Sequence, residues 1–190
     1  MALDGPGIRL RELGEDDLPL IADLRNDLDT QAWSRTLPPD YTVEMMRKRY
    51  WDRDFSHKPD SAMFIIEEKD SDEAIGFVSY TDLKDRHEAT LGVVVAQRWW
   101  GSGLAIQAVD LVLWMLFVRM GLRVARLWTD SSNVRAVGAA RKLGFQPSVR
   151  LRNSVFREGA YAEGLMMDVL REEWFAAHPA MENNQEMPWG

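Results

Sequence analysis

The residues best equipped to do chemistry form one run, Arg98-Trp99-Trp100-Gly101-Ser102-Gly103-Leu104-Ala105. It follows an apolar stretch, Leu91-Gly92-Val93-Val94-Val95-Ala96, and opens a helix-like segment at 104–117. A strand that turns through Gly-x-Gly into a helix makes an anion site. The first turn of a helix leaves backbone N–H groups without partners, and its dipole favours negative charge. Glycine has no Cβ, so Gly101 and Gly103 can take positive φ and let a ligand approach the main chain closely. The expected chemistry is the binding of a phosphate-bearing molecule.

The elements that must position this loop follow from periodicity and breakers. Ile8-Arg9-Leu10-Arg11 alternates and predicts a first strand. Gly14-Glu15-Asp16-Asp17 predicts a helix start, with acids in the first turn and Pro19 near its beginning; Leu18, Ile21, Ala22 and Leu24, with Leu28 a turn later, form its apolar stripe. A loop through Trp33, Pro38 and Pro39 leads to Thr42, the expected cap of a second helix running to about Trp51. Residues 62–67, 74–80 and 89–95 predict a three-strand meander, with Asp70-Ser71-Asp72 as a turn. Gly121 is placed to end the long helix. A strand at 124–128, a helix at 133–142 stopped by Gly144, and strands at 145–149 and 164–170 complete the order. The fold class is α/β (α+β), with antiparallel strands and helix crossovers. Residues 1–178 read as a single domain and 179–190 as a polar, poorly ordered tail.

Composition narrows the partners. The formal net charge of the 190-residue chain is -7, which argues against nucleic acid, since phosphate-backbone binding needs a basic footprint. There is no cysteine, hence no disulfide, no thiolate nucleophile and no Cys-ligated metal. His57, His87 and His178 form no metal-spaced pair, so no metal site is expected. The N-terminus has no positive n-region and no apolar h-region, and the longest apolar segment, 109–120, contains Asp110 and Arg119 and is too short to span a bilayer. The chain reads as cytoplasmic, without a membrane partner.

Three kinds of phosphate loop compete. A dinucleotide fold requires Gly-x-Gly-x-x-Gly early in the chain, but position 106 is Ile106. A P-loop requires Gly-Lys-Ser/Thr, which the run lacks. Arg98-x-x-Gly101-x-Gly103 instead resembles the Arg/Gln-x-x-Gly-x-Gly/Ala signature of the GNAT N-acetyltransferase superfamily. Asn133-Val134-Arg135-Ala136 with Lys142-Leu143-Gly144-Phe145 resembles that family's second block. Trp100-Gly101-x-Gly103, the opening Ile8-Arg9-Leu10-Arg11-Glu12-Leu13, Gly159-x-Tyr161-x-Glu163 and Leu170-x-Glu172-x-Trp174 are similar to the RimJ/RimL-type branch.

The resemblance implies a central mixed, mostly antiparallel sheet, splayed between the family's fourth and fifth strands, with helices on both faces. It implies acetyl-CoA as acyl donor. Backbone groups of Leu91 and Val93 would pair with the pantetheine amides, while their side chains belong to the core. The N–H groups of Trp99, Trp100, Gly101, Ser102, Gly103 and Leu104 would ring the pyrophosphate. Arg98, with Arg141 or Lys142, would add charge near the 3′-phosphate. Asn133 would bond the pantetheine arm near the thiol, and it also reads as an N-cap. Trp99 and Trp100 read equally as packing between helix and sheet.

The implied reaction is direct attack of a neutral primary amine on the thioester. The amine must lose a proton, and a backbone N–H of the splayed strand is the expected donor to the developing oxyanion. The family's frequent base position holds Trp128, and its frequent acid position holds Ala140. Ala136 replaces the serine used in the RimL-like branch. Glu88 through a water, and Ser131 with Asp130 at the end of the fifth strand, are substitutes; a strand-end charge and a turn are their plain readings. Tyr80 and Tyr161 are thiol donors or packing residues, and His87 is a further candidate proton acceptor whose neighbours Asp85 and Arg86 suggest an exposed loop. Positioning alone can supply much of such a rate.

The resemblance puts the acceptor amine between the first helix pair and the last hairpin. Trp33, Tyr41, Tyr80, Phe156 and Tyr161 lie in or beside those regions, with Asp29, Asp40 and Glu158 nearby, a mixture that suits a cation. The acceptor is a protein N-terminus or a small-molecule amine. A catalytically weak CoA-binding domain, transfer of a longer acyl group, and a homodimer all stay open.

Overall fold

The computed structural model describes residues 2–31, 40–51, 60–157 and 159–181. Its strands are β1 (Leu3–Asp4), β2 (Ile8–Glu12), β3 (Ala62–Glu68), β4 (Glu73–Lys84), β5 (Glu88–Val95), β6 (Val124–Asp130), β7 (Gln146–Arg157) and β8 (Ala160–Leu170). They form one sheet in the order β1-β2-β3-β4-β5-β6-β8-β7. The helices are α1 (Leu18–Asn26), α2 (Leu28–Gln31), α3 (Val43–Met46), α4 (Leu104–Trp114), α5 (Val134–Lys142) and α6 (Arg171–Ala177).

Strand alternation divides the core between two faces. Phe64 and Ile66 join a cluster with α4 and α6, whereas Ile65 between them joins α1, Met46 and Tyr50 on the opposite side. Helices therefore cover both faces. Every pairing is antiparallel except β5–β6, whose parallel register runs from Glu88↔Val124 to Leu91↔Leu127. Past that point β5 stays on β4 as far as Val95, and β6 stays on β8 as far as Asp130. The two strands part there. This is the splay the resemblance implied; the short β1 moves the count by one.

Three elements differ from expectation. The final hairpin extends over 146–157 and 160–170 rather than two short strands. The outer strand β7 is exposed along most of its length, so its side chains carry little core pattern to read. α4 stops at Trp114 and continues as one π turn, Met115–Arg119, before Gly121 at φ +68°. α6, with the N–H of Leu170 bonded to Glu173 Oε2 at 2.9 Å, replaces what read as chain end. Met181 is buried in the main core, so packing continues three residues past 178. The expected tail lies outside the described residues from 182 onward.

α6 docks on α4 through a buried polar group. Trp174 Nε1 donates to Asp110 Oδ1 at 2.8 Å, and His178 Nε2 lies 3.4 Å from Oδ2. Burial raises the Asp110 pKa above its ordinary value, against the opposing Trp174 bond and His178. The native chain thus holds this proton more tightly than the unfolded chain. The stability so gained is full below the unfolded pKa and is lost as pH rises through the folded one. Asp110→Asn keeps an acceptor for Trp174 and removes the charge. Urea titrations should show the variant gaining on the native protein between pH 4 and pH 7. The opposite slope would mean that His178 holds Asp110 as a favourable anion.

Candidate functional site

Two adjoining clefts open at the splay. One of about 300 Å³ passes between β5 and β6, with Arg25, Thr30 and Gln31 on one side of the sheet and residues of α4 and α5 on the other. The second, about 400 Å³, runs along Val93–Val95, the loop at 99–103 and the start of α5. The residues they share include Thr30, Val93, Val94, Asn133 and Ala136.

The loop is shaped by two left-handed glycines, Gly101 at φ +80° and Gly103 at φ +85°. A Cβ built on either would meet nothing within 4 Å, so both face open space. The amides of the loop are not equivalent. Trp99, Trp100 and Ser102 donate to the carbonyls of Ala96, Gln97 and Trp99. Leu104 N donates to Ser102 Oγ at 3.3 Å. Among the described residues, the N–H groups of Gly101, Gly103 and Ala105 have no acceptor. Of the amides expected at 99–104, Gly101 and Gly103 are left free, because the tight turns consume the others, and Ala105 joins them from just beyond that range.

Arg98 is turned away from the clefts. It pairs with Glu73 at the start of β4, as a charge-assisted contact on the surface. Arg135 and Lys142 line the second cleft instead. Arg135 lies 3.4 Å over the Trp100 ring. Burial lowers its pKa from the ordinary guanidinium value, yet it stays a cation. Trp100 Nε1 donates to the Val95 carbonyl at 3.1 Å, so Trp100 ties the loop to the splayed strand, and Trp99 packs against both core clusters.

Leu91 is buried as expected, but Val93 is 38% exposed. Its side chain points the way Leu91 and Val95 do, towards α4, and there the strand has lost its β6 neighbour, so it lines the cleft rather than the core. Asn133 is buried; its Oδ1 accepts from Ala136 N at 3.1 Å, capping α5. Among the described residues its Nδ2 has no acceptor, and the residue lines both clefts.

The substitute catalytic groups do not gather here. Glu88 sits at the paired end of β5, contacting Lys84 and Arg126 closely and His87 Nδ1 at 3.3 Å. The bond from Lys84, with the charges of Arg126 and His87, holds its carboxyl below the usual range, against burial. A carboxylate so stabilised is a poor base. Glu88→Gln should leave the pH dependence of kcat/KM where it is while lowering thermal stability; a displaced ascending limb would restore Glu88 as the base. Ser131 is bonded both ways to Glu163, its N–H to the carbonyl at 2.8 Å and its Oγ from the amide at 3.2 Å, and joins β6 to β8. Asp130 is buried against Arg157 at 3.4 Å and Ser132.

Tyr80 packs against the main core from β4, and burial raises its pKa. Tyr161 is exposed at the tip of the last hairpin, edge-on to Phe156 with centroids 5.2 Å apart. Neither lines the clefts. Trp33 and Glu158 lie outside the described residues. Tyr41 is held by Asn26, whose side chain bonds both its N–H and its carbonyl at 2.7 Å. Trp128, at the common base position, lines the splay cleft from β6.

One lining residue escaped the sequence reading. Arg25 follows Leu18 by seven positions and Ile21 by four, so it stands on the apolar stripe of α1; a charge on a buried stripe was the available signal. Its Nη2 donates to Tyr50 Oη at 2.8 Å, its guanidinium lies 5.5 Å from the Phe77 centroid, and its Nε is buried with no acceptor among the described residues.

Comparison with known proteins agrees with this architecture. The sequence model of the acetyltransferase (GNAT) domain matches residues 8–146. The spermidine N(1)-acetyltransferase of Escherichia coli K12 is 26% identical over 172 residues, covering 90% of each chain. A spermidine N-acetyltransferase of Vibrio cholerae, solved with CoA and spermine, superposes with a TM-score of 0.79 at 21% identity, covering 90% of this chain and 99% of that one. RimL, a ribosomal L7/L12 α-N-protein acetyltransferase solved with CoA, superposes at 0.78 with 16% identity, over 90% of this chain and 98% of that one.

Proposed function

We infer that this chain, which belongs to the GNAT acetyltransferase family, holds its acyl donor along the second cleft and receives the amine through the splay from the α1 side. It is an acyltransferase that uses acetyl-CoA to acetylate a primary amine. The observation that carries the inferred geometry is the convergence of unpaired donors on one continuous cleft. These are the amides of Gly101, Gly103 and Ala105 and the Asn133 side-chain amide.

The fit to the donor follows from chemistry. Free N–H groups at a helix start suit a pyrophosphate, and glycines without Cβ let it approach. Arg135 and Lys142 add positive charge on the same side. The half of β5 without a β6 partner offers backbone groups to an amide-bearing arm. Acetyl-CoA supplies the acetyl group as an activated thioester. The chain's part is to hold the amine in line with it and keep water out. Among the described residues no carboxylate and no histidine lines the splay cleft. Alignment, rather than a protein base, is therefore the main contribution, and such alignment is worth a large share of the rate. The amine must then arrive neutral, so kcat/KM should rise with pH towards the pKa of the free amine.

Calorimetry with acetyl-CoA, together with CoA release over a panel of small amines and N-terminal peptides, tests this reading. Asn133→Ala should weaken acetyl-CoA binding at least about tenfold without unfolding the chain, and Gly103→Ala, strained by its positive φ, should lose stability as well as affinity. Tight binding with no release on any amine would favour a CoA-binding domain without turnover. Preference for longer acyl-CoAs would change the donor and leave the site in place.

A further inference from the structure

We propose that Arg25 reads a carboxylate on the acceptor, so that the amine acetylated is an amino acid or a close derivative rather than a polyamine. The proposal rests on the reading that the amine enters from the α1 side. Among the described residues Arg25 is the one charged side chain lining the splay cleft. Its position is unusual for a cation. It stands on the buried stripe of α1 with Nε shut off from solvent and with no acceptor among the described residues. Its described contacts are a neutral phenol, Tyr50, and the face of Phe77. No described carboxylate pairs with it. A guanidinium presents donors in a fixed fork; with Nη2 bonded to Tyr50 and Nε closed in, Nη1 is the donor left for a ligand in the cleft.

The same arrangement argues against a polycation. A spermidine-like chain entering beside Arg25 would meet a like charge and, among the described lining residues, no carboxylate to receive its ammonium groups. An amine that bears a carboxylate brings the missing anion. One guanidinium matches one negative charge; the Thr30 hydroxyl in the same cleft is already spent on Asp27. A phosphate dianion calls for a second cation or a helix N-terminus, and the described lining of this cleft has neither on the α1 side. Trp128, in the same cleft, offers an apolar wall to the acceptor's carbon chain.

The test compares amino acids with their carboxamides, with spermidine as the cationic competitor. In the native protein the carboxylates should show kcat/KM about tenfold or more above their carboxamides, carried by KM. Arg25→Gln should reduce that preference to about twofold while leaving the Kd for acetyl-CoA unchanged. Equal loss for both members of each pair, or preference for spermidine or the carboxamides in the native protein, overturns the proposal. Should Arg25→Gln fail to fold, the native protein loaded with CoA decides the matter by calorimetry. N-acetyl amino acids should bind about tenfold tighter than N-acetyl amino acid amides, and equal binding overturns the proposal. Failure to bind acetyl-CoA at all overturns the functional reading as well; acetylation indifferent to the carboxylate overturns this inference alone.

Discussion

Gly76→Ala should destabilise the fold by about 3 kcal/mol or more and abolish acetyl-CoA binding with it. Gly76 lies on β4 opposite Val95 of β5. A Cβ there would stand 2.1 Å from the Val94 carbonyl oxygen and 2.8 Å from Val95 Cα. Both are backbone atoms, so no rotamer change relieves the contact and β5 itself must move. β5 is the splayed strand, and it leads straight into the loop at 97–103. Gly92→Ala on the same strand pair is the matched control. Its new Cβ would meet only Ser79 Oγ at 3.4 Å, an ordinary contact, and that variant should unfold in urea close to the native midpoint. A Gly76→Ala protein with native midpoint and native affinity would show that β4 and β5 can separate freely at this point.

Trp174→Ala should lose about 3–5 kcal/mol of stability while leaving the cofactor loop intact in whatever fraction stays folded. Trp174 is 1% exposed, stacked on His178 with centroids 4.4 Å apart, and tilted against Phe117 at 5.8 Å. Its removal opens a cavity beneath α6 and takes the indole donor from Asp110. Trp174→Phe keeps most of the apolar area but not the donor, and should lie between. The measurement is urea unfolding, with acetyl-CoA affinity taken under native conditions. The matched family region ends at 146, so this stability comes from a part of the chain beyond it. Full stability in Trp174→Ala would reduce α6 to an ornament.

The loop and the core strands were legible because their causes are local. Gly101 and Gly103 declare positive φ by their type, Asn133 declares a cap, and 62–67 and 89–95 declare strands by apolar content. The fate of Glu88 was only partly local, since Lys84 and His87 lie within four residues of it. Arg126, from a strand far along the chain, joins Lys84 in holding it, and nothing near Glu88 in sequence announces that second contact. Arg98 similarly follows Glu73 across a strand boundary. Val93 has an apolar side chain in a strand, which normally means core; only the departure of β6 exposes it. β7 was half missed because an outer strand exposed on both faces keeps no alternation, and Asn153 at φ +50° interrupts it with a bulge. Arg25 was readable from its place on the stripe, but the use of a charge there depends on the cleft that α1 faces.

The parallel seam has a consequence for how the molecule comes apart. The strands β1–β5 pair successively as an antiparallel meander, and β6–β8 form a second antiparallel group. Between the two groups the register holds only from Glu88↔Val124 to Leu91↔Leu127, a pairing that closes over the whole of α4. The seam is held by four register pairs, fewer than β2–β3 or β6–β8, whose partners lie at comparable or greater distances in sequence. Native-state hydrogen exchange should show the seam amides opening at lower free energy than those inside either group; equal protection would mean that the shared core holds the two groups as one unit. The place where the sheet admits a substrate is also the place where it parts first.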